Sequence, residues 1–219
     1  MRWFGALHAA LLKGAVTQGP RVPKVAVTFD DGPDPSWTPL ILDILDAHQA
    51  KATFFVLGDQ LDAHRRLAEE VADRGHELAS HLKSHDRAVA DDDERFGREM
   101  RETADSIRAI TGRLPRYMRF PFAYTGRQTP RAVREEFDIT AVHWSFSGMD
   151  SRLDAGAVVR RVNRRLYPGA IVLLHDGVGK FSKYVKHRQA TVDALPAVLA
   201  RCREMALAPV TLSELMAAT

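Results

Sequence analysis

Two adjacent carboxylates, Asp30 and Asp31, stand at the end of the apolar run Val25–Phe29 and directly before Gly32-Pro33. The run reads as a buried strand, and Gly-Pro as its stop. Carboxylates at the end of a buried strand are costly to desolvate unless a cation meets them. A divalent metal would serve, and so would an arginine. One Asp could bind a metal while its neighbour handles a proton. The plain alternative is an Asp-Gly turn closing a strand. Further along, His81-Leu-Lys-Ser-His85 sets two imidazoles four residues apart. On a helical turn, positions i and i+4 share a face, so both rings could reach one ion. Zinc takes imidazole nitrogens and carboxylate oxygens, and a catalytic zinc keeps one position open. Leu82 stands where the zincin pattern needs a glutamate. A general base must then come from elsewhere, and Asp30 and Asp31 are the available carboxylates. The alternative for the histidine pair alone is two surface residues.

Thr28-Phe-Asp-Asp-Gly-Pro33, then His81-x-x-x-His85, Arg119-Phe-Pro-Phe122 and Leu173-Leu-His175 occur in this order. Together they resemble the polysaccharide deacetylase family (NodB-like, carbohydrate esterase 4), over about Lys24 to Leu215. The resemblance implies removal of N-acetyl groups from an amino sugar in an oligo- or polysaccharide, such as peptidoglycan or a chitooligosaccharide. It implies Asp31, His81 and His85 as metal ligands and Asp30 as general base. Arg119 would pair with Asp30, orient it and lower its pKa. Phe122 would offer its backbone N–H to the oxyanion. His175 would be the general acid, with Leu173 and Trp144 lining a pocket for the acetyl methyl. The implied cofactor is a divalent metal, zinc first, with cobalt, nickel or manganese also suited to a two-histidine, one-carboxylate set.

Two departures from the family pattern stand out. Members often carry Asp-x-x-Asp-Trp after the strand bearing Trp144, and its first Asp tunes the acid histidine. Here the segment reads Ser147-Gly-Met-Asp150-Ser151, so Asp150 would have to act from a shifted position. Arg119-Phe-Pro-Phe122-Ala123 lacks the common Pro-Pro-Tyr-Gly ending. Two further readings stay open: a hydrolase of another amide or a cyclic imide on the same scaffold, and a non-catalytic glycan-binding relative. The complete metal triad argues against the first. The base and acid argue against the second.

The elements that must position these residues follow a strand–helix rhythm, about seven times over, which argues for parallel strands with helical crossovers. Strands are expected at Val25–Phe29, Ala52–Leu57, His76–Ser80, Tyr117–Phe120, Ile139–Trp144, Ala170–Leu174 and Ala208–Leu212. Helices are expected from Ser36 (as a cap) through Leu45, over Leu61–Arg74, and from the acidic Asp91–Glu94 to about Ile110. Others are expected from Pro130, from Asp154 to about Leu166, over Arg188–Met205 with a break at Pro196, and from Ser213. The rhythm does not choose between a barrel and an open sheet. The resemblance implies a distorted α/β barrel of about seven strands, short of the usual eight. Asp30, Asp31, His81, Arg119 and His175 all fall at C-terminal strand ends, the face that carries chemistry in such barrels.

The chain has 219 residues, 45% hydrophobic and 27% charged, as expected of one globular domain. Its net charge of +3 and the lack of a basic stripe with interleaved aromatics point away from nucleic acid. A single cysteine, Cys202, excludes an internal disulfide and a cysteine metal cluster. Residues 1–23 read as a short helix and a Gly- and Pro-containing linker before the catalytic domain at 24–219. The first 13 residues make a poor signal peptide, interrupted by His8 and Lys13, and are too short to span a bilayer. This suits a cytoplasmic or membrane-peripheral protein, with Trp3 and Phe4 the candidates for membrane-surface contact. The segment Asp176–His187 carries Lys180, Lys183, Lys186 and His187. It reads as a solvated loop or as a clamp for an anionic glycan.

Overall fold

The computed structural model describes residues 14–178 and 187–218. The expected N-terminal helix and the three loop lysines lie outside them. Among the described residues no helix is long and apolar enough to cross a membrane.

Seven parallel strands form the body: β1 (Lys24–Asp30), β2 (Ala52–Val56), β3 (Glu77–Ser80), β4 (Tyr117–Met118), β5 (Thr140–Ala141), β6 (Phe146–Ser147) and β7 (Ile171–His175), in the spatial order β5-β4-β3-β2-β1-β7-β6. A short β8 (Ala208–Pro209) adds to the start of β1. The sheet curls into a distorted barrel that β5 and β6 leave unpaired to each other. Residues 14–19 stitch that seam. The Val16 N–H donates to Ala141 O, the His143 N–H to Val16 O, Ser145 Oγ to Thr17 O and the Gly19 N–H to Gly169 O, all at 2.8–2.9 Å.

Alternation along β1 sorts side chains by layer. Val25, Val27 and Phe29 pack outward in the main core with Leu42, Phe54, Val172 and Leu195. Ala26 packs inward with Phe55, Tyr117, Ile171 and Leu212, and Thr28 accepts a bond from Arg119 across the interior. The barrel is therefore apolar at the N-terminal ends of its strands and charged at the C-terminal ends.

The helices are α1 (Thr38–Ala47), α2 (Gly58–Ala63), α3 (Arg65–Asp73), α4 (Asp93–Thr111), α5 (Pro130–Phe137), α6 (Ala155–Asn163), α7 (Gln189–Glu204) and α8 (Leu212–Met216). The acidic run does start α4, through the Asp92 side chain bonded to the Arg95 N–H, and Gly112 ends it with φ 75°. Asp154 likewise caps α6.

Several expectations need correction. Ser36 caps nothing: its N–H donates to Asp34 Oδ1, and α1 starts two residues later without a side-chain cap. The Leu61–Arg74 helix is two helices, broken where His64 leaves helical backbone at φ −131°. α7 runs through Pro196 without a break. The expected strand Ile139–Trp144 pairs with β4 only at Thr140–Ala141; Val142 bridges Val16, the His143 N–H also turns to Val16, and β6 follows as a separate strand.

Candidate metal and catalytic site

Asp30 ends β1, and Asp31 begins the turn. On regular strand backbone the two carboxylates would point to opposite faces. Asp31 instead adopts a left-handed φ of 81°, a conformation that Asp tolerates better than most residues, and its side chain joins that of Asp30 over the barrel mouth. The turn is packed from below. A Cβ on Gly32 would sit 2.1 Å from Asp176 Oδ2, and one on Gly177 2.3 Å from Asp31 O. Asp176, fully buried, accepts from the Gly32 N–H and from Thr38 Oγ1. Burial pushes its carboxyl up to about 7.

The His81–His85 pair reaches the same point by a route other than the expected helical turn. Residues 81–85 form an irregular loop in which Leu82 (φ 61°) and His85 (φ 54°) are left-handed. Two reversals in five residues fold the second imidazole back onto the first, with ring centroids 5.3 Å apart. Glu99 of α4, itself buried, holds this loop. Its carboxylate accepts the N–H groups of Lys83 (3.2 Å) and Ser84 (3.0 Å) and the Ser84 hydroxyl (2.8 Å), and Arg95 braces it at 3.2 Å. Substituting Glu99→Ala strips the loop of these acceptors. Metal affinity is expected to fall about 10–100-fold, as for other groups that orient ligands. Isothermal titration with zinc checks this, and an unchanged affinity would remove Glu99 from the account.

Ligand-capable atoms of Asp31, His81 and His85 lie within 4.8 Å of one another. Asp31 Oδ1 is 3.2 Å from His85 Nε2 and 3.6 Å from His81 Nε2. His81 Nδ1 lies 2.8 Å from the Arg119 carbonyl oxygen, so that nitrogen carries the proton and Nε2 turns its lone pair to the cluster. Burial holds the His81 imidazole down to about 3, neutral and ready to ligate. Asp31 Oδ1 is buried and has no hydrogen-bond partner. An orphaned carboxylate oxygen facing two imidazoles is the donor set that a divalent metal satisfies.

Arg119, fully buried, is the strut between the catalytic layers. It donates to Asp30 Oδ1 at 2.6 Å, to Thr28 Oγ1 at 2.9 Å, to Val142 O at 3.2 Å and to His143 O at 2.8 Å. Its guanidinium lies over the Phe55 ring at 3.8 Å, with Trp144 on another side at 5.6 Å. Burial is the larger effect on the Asp30 carboxyl and pushes it above its usual value, although Arg119, as expected, pulls it down through its charge and its hydrogen bond.

His175 ends β7, in register with Asp30 across the adjacent strand. Asp150 does reach it: Asp150 Oδ1 lies 2.9 Å from His175 Nδ1, and Oδ2 accepts the His175 N–H (2.8 Å) and Thr191 Oγ1 (2.6 Å). Burial works against charge on His175, but the Asp150 carboxylate, through charge and hydrogen bond, and the nearby Asp31 together raise the imidazole above its ordinary value. Ser147 takes no part in this contact, and its hydroxyl accepts the Met149 N–H instead. The shift of register is made at Met149 (φ 61°), while Gly148 allows close approach to Leu174, whose Cδ2 would be 2.6 Å from a Cβ there.

The remaining expected site residues lie around this centre. Leu173 is one interior position below His175, paired with Thr28. Phe122 has φ 58°, is 52% exposed and packs its ring 4.4 Å from that of His85, forming an outer wall of the metal cluster. Trp144, half-buried, stands beside Arg119 and the interior core.

Sequence reasoning missed Arg188. Also buried, it donates to Asp31 Oδ2 (3.1 Å), Gly177 O (2.5 Å) and Ser151 Oγ (2.7 Å). Nothing in its local sequence marks it, since it reads as the start of α7.

Residues 17–142 match the family model described as polysaccharide deacetylase. The chain is 30% identical over 191 residues to the peptidoglycan-N-acetylglucosamine deacetylase of Bacillus cereus, covering 86% of this chain and 66% of that protein. It is 36% identical over 182 residues to a chitooligosaccharide deacetylase of Rhizobium leguminosarum bv. trifolii, covering 80% and 83%. Among solved structures, the Bc1960 peptidoglycan N-acetylglucosamine deacetylase, bound to an N-hydroxybenzamide compound, matches with a TM-score of 0.83 at 27% identity over 94% of each chain. A mutant of BA3943, a CE4 family pseudoenzyme with restored enzymatic activity, matches with a TM-score of 0.78 at 25% identity, over 92% of this chain and 71% of that one.

Proposed function

The chain belongs to the polysaccharide deacetylase family and is a hydrolase of carbon–nitrogen bonds; from that premise we propose that it is a metal-dependent de-N-acetylase acting on N-acetylglucosamine residues of an oligo- or polysaccharide. The observation that carries this reading is the orphaned Asp31 Oδ1 facing His81 and His85, with a buried Asp–Arg pair on one side and a His–Asp pair on the other.

In the proposed reaction, Asp31, His81 and His85 would hold a divalent metal, zinc by donor chemistry, which would supply a lowered water pKa and polarisation of the amide carbonyl. The chain's own groups then divide the proton work. Asp30, oriented through Oδ1 by Arg119, takes a proton from the attacking water. Its raised pKa suits it to hold that proton briefly. The backbone N–H of Phe122 supports the oxygen that gains charge on the acetyl carbon. His175 gives its proton to the sugar nitrogen as the carbon–nitrogen bond breaks, so the products are acetate and a free amino sugar. Leu173 and Trp144 face the acetyl methyl.

Asp150 keeps the acid charged. Asp150→Asn removes that support, and burial then favours neutral His175. The alkaline limb of the pH–rate profile should move to lower pH, with kcat lowered about 10–100-fold at pH 8 and less at pH 6. A profile that keeps its alkaline limb would take the acid role from His175.

The names of the relatives favour N-acetylglucosamine glycans as substrates. Acetate release from N-acetylglucosamine oligomers and from isolated glycan strands tests the reading. Turnover of either supports it. Turnover only of small amides or cyclic imides would move the chain to a different hydrolase of the same fold.

A further inference from the structure

Asp31 has two oxygens in unlike surroundings. Oδ1 faces the two imidazoles and has no hydrogen-bond partner. Oδ2 is taken by Arg188, whose buried guanidinium also ties down Gly177 O and Ser151 Oγ. The left-handed backbone at Asp31 and the contact of Gly177 with its carbonyl leave the residue little room to turn. The fork therefore fastens three segments to one another: the turn after β1, the start of the segment after β7, and the loop that carries Asp150.

We propose that Arg188 is a positioning residue that confines Asp31 to a single metal-facing oxygen and, by its charge, keeps the metal less tightly held and more electrophilic. This rests on the metal reading above. Two consequences follow from charge and geometry. A cation this close to a dication repels it, and in a buried site that repulsion is screened far less than in water. A carboxylate with one oxygen already bonded cannot offer both to the metal, so coordination positions stay open for water and the amide oxygen.

A purely structural brace predicts the opposite result on substitution. Removing a brace loosens the site and weakens metal binding. Removing the charge while keeping a donor should tighten it. Arg188→Gln keeps hydrogen-bonding capacity without charge, and Arg188→Lys keeps the charge without the fork. We expect Arg188→Gln to bind zinc about tenfold more tightly than the native chain, with a lower kcat. Its cobalt-loaded form should keep a native-like visible spectrum, because the amide still bonds Asp31 Oδ2, whereas Arg188→Ala frees that oxygen and should weaken the visible absorption as the coordination number rises. Arg188→Lys should stay within about threefold of native affinity, with a native-like cobalt spectrum.

Zinc affinity is read by competition with a chromophoric chelator, and the spectrum by cobalt titration. Weaker or unchanged zinc binding in Arg188→Gln, or the same zinc affinity in Arg188→Gln and Arg188→Lys, overturns the proposal and leaves the metal reading standing. A native chain that takes up no zinc at one ion per chain overturns both.

Discussion

Asp30→Asn lowers kcat about 10²–10⁴-fold, the usual range for removing a general base, with a much smaller change in stability. Asparagine keeps an oxygen that can accept from Arg119 Nη1, and Arg119 retains Thr28, Val142 and His143 as acceptors. The strut therefore stays in place while the proton acceptor is lost. The metal triad does not include Asp30, whose Oδ2 lies 3.8 Å from His81 Nε2. Zinc stoichiometry should accordingly be unchanged. Steady-state acetate release with parallel zinc titration measures both. A variant that keeps more than about a tenth of native kcat would place the base elsewhere.

Arg119→Met should have the largest effect on stability. It leaves Asp30 buried without its guanidinium partner, and breaking a buried ion pair from one side costs about 3–5 kcal/mol. For a chain of this size that is roughly a 10 °C fall in Tm. The sign of the pH response follows from the same pair. Burial already raises the Asp30 carboxyl, and Arg119 is what opposes it. Without Arg119 the carboxyl rises further, and the acid limb of the activity profile moves to higher pH. A raised folded-state pKa means that Asp30 favours folding when protonated and opposes it when ionised. The destabilisation should therefore be smaller at low pH than at neutral pH. Thermal melts across pH measure this. A Tm within about 3 °C of native at neutral pH would show that the pair is not the interior strut described here.

The proposed catalytic groups are legible because each sits at a strand end within a short local pattern. Asp30-Asp31 follows an apolar β-branched run, His81 follows β3, and His175 ends β7. Of the groups that orient them, Arg119 and Asp150 are legible from the same patterns, but Glu99, Asp176 and Arg188 are not. Glu99 holds a loop fifteen residues away, and Asp176 and Arg188 meet the Asp31 turn from about 150 residues along the chain. Such partners arise from strand order, with β7 beside β1, and no local spacing encodes them. The histidine pair shows the reverse error. Four-residue spacing suits a helical turn, but two left-handed residues in a loop bring the rings together just as well. Asp150 is no such error: the sequence admits it from a shifted position, and one left-handed residue, Met149, makes that contact.

The fold alone does not decide activity, since the wild-type BA3943 pseudoenzyme shares it. What supports the proposed catalysis is the joint presence of the candidate metal donors, the Asp30–Arg119 pair and the His175–Asp150 pair. The most direct measurement is acetate release from N-acetylglucosamine oligomers by chelator-stripped protein, before and after zinc is returned, with Asp30→Asn as control. No release is expected from the stripped protein, with recovery at one zinc per chain and no recovery in the control. Release that persists without metal, or zinc uptake with no release from any acetylated glycan, would contradict it.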